Sequence, residues 1–200
     1  MSGPRVQDPA HGFSFVVPDG FVPSPETKVK RAVFSYARGA RGTADYEMLQ
    51  IIPLSYVAPH EPRNHDLAEH AAREVLSGDQ LEVDSFAYRD FAWRGFTLEQ
   101  MSARASQGDH HLALISLEVP MAKQAIQVVI SGDASSEAIL SAELREVAAS
   151  IEGKSSWEES GGGGTTRMVV GVAGGVLVVV LLAAWTRRRG ARGATSSPAP

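Results

Sequence analysis

The 18 residues from Met168 to Trp185 are all apolar or glycine, and no other feature constrains the folding of this chain as tightly. At a rise of about 1.5 Å per residue they span about 27 Å as a helix, close to the hydrocarbon thickness of a bilayer. Thr165, Thr166 and Thr186 extend the fit, and Trp185 stands where an aromatic anchor meets the headgroups. A segment that is apolar all round has no polar face to offer water, whereas in lipid a helix satisfies its backbone internally. The sequence therefore predicts a transmembrane helix over residues 167–186. It divides the chain into a globular domain (1–153), a Gly/Ser-rich linker (154–166), the helix, and a basic disordered tail (187–200). Gly171 and Gly175 lie four apart on one helical face, a spacing by which two such helices can pair as a homodimer.

Two arguments about orientation oppose each other. Arg187, Arg188, Arg189 and Arg192 follow the helix and only Arg167 immediately precedes it, which by the positive-inside bias places the tail in the cytoplasm and the domain outside. The N-terminus, Met1-Ser2-Gly3-Pro4-Arg5, has neither the basic start and apolar run nor the cleavage site of a secretory signal. A domain without such a signal stays where it is made. The reading favoured here is a single-pass, tail-anchored protein with its domain in the cytoplasm, and an extracytoplasmic domain is the alternative.

Charge and composition narrow the partners of the domain. Residues 1–166 carry 14 Lys and Arg against 23 Asp and Glu, a net of −9, which argues against nucleic acid because phosphate binding needs concentrated positive charge. There is no cysteine, so disulfides, thiolate metal sites and a cysteine nucleophile are excluded. An apolar fraction of 44% with 21% charged residues suits a chain that buries a core.

Within that domain the hydrophobic period is mostly two. "HGFSFVVP" puts Phe13, Phe15 and Val17 on one face before an Asp19-Gly20 turn; "KVKRAVFSYARG" alternates through Ala32, Phe34 and Tyr36, and "DYEMLQIIPL" through Leu49 and Ile51. A helix is expected over Asp66–Ser77, with Asn64 as N-cap, Leu67, Ala71 and Val75 on its buried face, and Gly78 closing it. Four more strands are expected at "QLEVDSFAYR", "FAWRGFTLEQMSAR", "HHLALISLEV" and "QAIQVVISG". In "SSEAILSAELREVAASI" the residues Leu140, Leu144, Val147, Ala148 and Ile151 recur at helical spacing, with Ser135 or Ser136 as cap. Seven strands and two helices in the order βββ-α-ββββ-α imply an α+β domain, an antiparallel sheet flanked by helices.

The opening "DPAHGFSFVVPDGF" and the closing strand and helix, "AIQVVISGDASSEAILSAELREVAASI", resemble the first and last elements of PsbP-like domains. That group takes its name from the extrinsic photosystem subunit and includes a Ran-binding nuclear-import factor and the bacterial DcrB and Eag-type chaperones. The resemblance spans about residues 8–153. It implies an αβα sandwich around an antiparallel sheet and a binding or assembly module with no shared catalytic machinery. No functional residue carries over, and a membrane anchor behind the domain departs from the usual pattern.

Reactive side chains give little more. His60, His65 and His70 fall five apart, whereas a metalloprotease helix needs two histidines four apart with a glutamate beside the first. His65 and His70 lie about 140° apart around a helix, and Pro62 interrupts any helix that would join His60 to them. His110 and His111 are adjacent on a strand and point to opposite faces. Phe91 and Trp93 share a strand face and fill the core, and Phe96 follows them. The glycines at 161–164 lack the Gly-Lys-Ser/Thr of a phosphate loop and act as a tether. No residue is assigned a catalytic, cofactor-binding or metal-binding role. The functional expectation is a membrane-anchored, non-catalytic module that binds an unknown protein. The alternative is a membrane-tethered metal-binding protein or hydrolase that uses His60, His65 and His70.

Overall fold

A computed structural model of the chain describes residues 3–24, 32–58, 64–78 and 80–159. The predicted membrane segment with Gly171 and Gly175, the spacer glycines and His60 lie outside the described residues. Among the described residues no helix is long and apolar enough to cross a membrane.

The described elements in order are β1 (Arg5–Asp8), β2 (Phe13–Val16), β3 (Val22–Pro23), β4 (Phe34–Arg38), β5 (Glu47–Pro53), α1 (His65–Gly78), β6 (Glu82–Trp93), β7 (Phe96–Gln107), β8 (His110–Pro120), β9 (Ala125–Asp133), α2 (Glu137–Ser150) and α3 (Ser156–Glu159). Seven strands form an antiparallel sheet in the order β3-β4-β5-β9-β8-β7-β6, and β1 and β2 pair as a separate ribbon. The α+β expectation holds, and the sheet of the expected size is assembled from different pieces. The strand at Phe13–Val16 is not in it. The short β3 is, and β6 runs straight through Arg89 and Asp90 to a turn at Arg94 and Gly95. An edge strand tolerates Asp90 because its outer side is solvated, so a polar dipeptide there does not break it. Both turn residues have positive φ, 48° at Arg94 and 82° at Gly95, as a two-residue hairpin of this twist requires.

Strand alternation sorts the side chains into two faces. On one face Leu49, Ile51, Ile115, Leu117, Ile126, Val128 and Ile130, joined by Phe15 from the separate ribbon, meet α2, whose Leu140, Leu144, Val147, Ala148 and Ile151 are buried as its spacing predicts. Truncating one such leucine to alanine costs about 2–5 kcal/mol. Trp93 is buried in the same cluster and its Nε1 donates to the Ala148 carbonyl at 3.0 Å, while Phe91 packs beside it. Buried polar groups on this face are served: the Gln100 amide donates to Ser141 Oγ at 2.8 Å and its oxygen accepts from Arg145 Nε at 2.8 Å.

Start and end of α2 differ in detail from expectation. Ser136 occupies the cap position without a side-chain bond, and the capping is done one turn earlier by Asp133, whose Oδ1 accepts from the Ser135 amide at 2.9 Å and the Ser135 hydroxyl at 2.6 Å. Those bonds, with the nearby imidazoles of His111 and His110, hold the Asp133 carboxyl below its ordinary pKa. Beyond α2, packing continues past Gly153. Ser155 is fully buried and donates to the Pro120 carbonyl at 2.7 Å; Trp157 sits edge-on to Phe96 and donates to the Ala58 carbonyl at 2.9 Å. Arg94 stacks over Trp93 and donates to the carbonyls of Gly153 and Ile151 at 2.7 and 2.6 Å, which offsets its left-handed backbone.

Arg38 ties α2 to the β4–β5 side of the sheet. It forms two parallel bonds to Glu143 on α2 at 2.9 and 2.8 Å, binds Glu47 on β5 through Nε at 2.7 Å, and covers the Phe21 ring. Burial alone would lower the guanidinium's pKa, but the hydrogen bonds and charges of Glu143 and Glu47 outweigh it and raise it.

Candidate functional site

The second face of the sheet is covered unevenly. Helix α1 packs over the β6–β8 side through Leu76, against Leu81, Met101, Ala105 and Leu114. Ala68 and Ala72 are buried on the same side of the helix, and Leu67 is 48% exposed, so the buried stripe is 68-72-76 and not the expected 67-71 track. Small residues inside let the helix approach the sheet closely, a tertiary preference that outweighs the larger apolar residue. The Asn64 cap holds: its Oδ1 accepts from the Leu67 amide at 3.1 Å. On the opposite side a second cluster gathers Ala37, Met48, Ile52, Leu54, Ala58, Ala125 and Val129.

Between these two apolar clusters the strands put polar side chains inward. Registers align Gln50 with Val129, Val129 with Ser116, and Ser116 with Met101, and in the next row Ile52 with Gln127 and Gln127 with Glu118. Glu99 lies two residues from Met101 on the same face of β7. The result is a polar trough across β5, β9, β8 and β7. Ser116 and Gln127 are 1% and 5% exposed, yet Ser116 Oγ, Gln127 Oε1 and Glu99 Oε2 have no hydrogen-bond partner among the described residues. Each buried unsatisfied group costs about 1–3 kcal/mol. On the α2 face the buried Gln100 and Ser141 are paired with each other and with Arg145.

His65, the first residue of α1, forms the rim. Its ring stacks on Tyr88 of β6 with centroids 3.8 Å apart and planes 6° from parallel, and its Nε2 lies 2.8 Å from Glu99 Oε1. One oxygen of Glu99 is thereby fixed by the imidazole and the other is left over. The side chains of His65 and Glu99 are 44% and 29% exposed, so this end of the trough opens to solvent. His70 does not join them. It is 73% exposed and 3.9 Å from Glu74, so the two histidines diverge as their spacing implies. Among the described residues no three His, Asp or Glu side chains are placed to hold a metal ion. His110 and His111 are exposed beside Asp133, far along the sheet from the trough.

Sequence reasoning singled out His65 and missed its partners. The available signal is a polar side chain inside strands that are apolar on both faces: Gln50 in "EMLQIIP", Ser116 in "LALISLEVP" and Gln127 in "AIQVVIS". A strand covered on both sides has no solvent face on which to put a glutamine.

No protein-family model matches the sequence, and no curated protein matches it. Solved structures do. The crystal structure of the Saccharomyces cerevisiae Ran-binding protein Mog1p superposes with a TM-score of 0.56 at 12% identity, covering 78% of this chain and 98% of that one. A Mog1 mutant gives 0.54 at 12% identity over 79% and 99%. The solution structure of cyanobacterial PsbP (CyanoP) from Synechocystis gives 0.51 at 17% identity over 75% and 91%. The fold is PsbP/Mog1-like. At such identities the likeness concerns the fold alone, and it agrees with the resemblance that the opening and closing segments carry.

Proposed function

We propose that the chain is a non-catalytic binding or assembly module that holds a protein partner while attached to a membrane by one helix. The observation that carries the binding part is the fold: the domain is built like Mog1p, a Ran-binding protein. The polar trough supports it, because buried acceptors left unpaired gain most from a ligand that brings donors. The membrane part rests on the sequence of residues 168–185 and on the glycine tether before it, which lets the domain reach partners laterally. In this reading the domain faces the cytoplasm as a tail-anchored protein.

The test is the full chain extracted in mild detergent from carbonate-washed membranes and sized by light scattering. The expected result is retention in the washed membrane and a particle holding a second polypeptide in fixed ratio. Release by carbonate would refute the anchor, and a particle holding this chain alone would refute the binding module.

A further inference from the structure

We propose that the trough is the seat of one lysine ammonium presented by the protein partner, an inference that rests on the binding-module reading. The three unpaired atoms define the chemistry required. Glu99 Oε2 and Gln127 Oε1 can only accept and Ser116 Oγ also accepts, so their complement is a donor that itself needs no donor. They come from three adjacent strands, β7, β9 and β8, on one face. Diagonal cross-strand neighbours lie about 7–8 Å apart at Cα, within reach of long side chains. A lysine ammonium has three donors and no acceptor, one for each of the three groups.

Competing occupants fit less well. A divalent cation of the calcium class takes about 6–8 oxygens and several carboxylates. Here one oxygen of Glu99 is held by His65, Gln127 and Ser116 contribute no charge, and Glu118 is the one further carboxylate in the row, short of the three His, Asp or Glu side chains that would hold a metal ion among the described residues. A guanidinium offers five donors in one plane, a fork matched to two parallel oxygens and not to three acceptors on three strands. The rim suits a lysine stem: the stacked rings of His65 and Tyr88 give apolar surface beside the opening. The surplus of acid in residues 1–166, net −9, favours a basic partner segment over long range.

The experiment uses the isotope-labelled full chain in detergent micelles, titrated with N-acetyl-lysine methylamide and, separately, with the uncharged norleucine analogue and with sodium chloride. The lysine probe is expected to shift the backbone amides of Ser116 and Gln127 saturably. The norleucine analogue should leave them in place, and Glu99→Gln should weaken the lysine probe by about tenfold or more. Ser116→Ala is the second variant and should weaken it by a smaller factor. Equal response to norleucine, saturation by sodium chloride alone, no response to any probe, or undiminished binding by both variants would each overturn the assignment. A partner that co-purifies with the Glu99→Gln chain as well as with wild type would leave the binding module standing and remove the lysine seat.

Discussion

Replacing Arg38 with methionine keeps the aliphatic bulk and removes the positive charge that the structure places between Glu47 and Glu143. Breaking a buried ion pair from one side costs about 3–5 kcal/mol because a carboxylate is left desolvated and unpaired. Here the Glu47 side chain is 10% exposed, but Arg38 is 28% and Glu143 20%, so solvent recovers part of it and about 2–3 kcal/mol is expected. In a domain of this size that lowers the melting temperature by about 5–10 °C. Urea unfolding of the full chain, followed by near-ultraviolet circular dichroism, measures it. Arg38→Met with Glu47→Gln should recover much of the loss, since the uncompensated carboxylate is then gone. The raised guanidinium pKa means that its contribution is fully present below the ordinary guanidinium pKa and lost only as pH rises through the folded value. The penalty should thus be constant from about pH 6 to 9. A loss below about 1 kcal/mol, or a double variant no better than Arg38→Met alone, would refute the clamp.

Other outcomes follow from single sites. Asp133→Ala should cost about 1 kcal/mol at neutral pH through loss of the cap; because the native carboxyl is held low, the wild-type advantage should vanish as pH falls from 3.8 through the folded value, read from paired urea curves. Burial raises the Tyr36 phenol above 10.0, so its neutral form supports the fold below that pH and the support is lost above it; Tyr36→Phe should flatten the alkaline limb of stability in a pH series. Gly153→Ala should destabilise by about 1–3 kcal/mol, because φ is 139° and the new Cβ would stand 2.5 Å from the Gly12 carbonyl oxygen; thermal melting checks it.

What the sequence makes legible here follows from which forces act locally. The inward faces of β2 and α2 can be read because one side of each is buried and the period shows it: Phe13, Phe15 and Val17, then Leu140, Leu144 and Val147. The buried side of α1 cannot, because Ala68 and Ala72 win their place only through close approach to a sheet formed by distant strands. The β6–β7 turn is masked by arginine at a left-handed position, held there by Trp93 and two carbonyls more than 50 residues on. The trough is legible as a set of misplaced polar residues but not as a site. Its members come together through the pairing of β5, β9, β8 and β7, and Glu99 meets His65 across 34 residues.

The central claim is tested most directly by a photo-reactive phenylalanine analogue placed in the full chain at Tyr88, on the rim of the trough, or at Ile139, on the exposed side of α2. A partner seated in the trough should give one discrete adduct from Tyr88, lost when Glu99 is replaced by glutamine, and none from Ile139. The same adduct from both positions, or none from Tyr88, would contradict it.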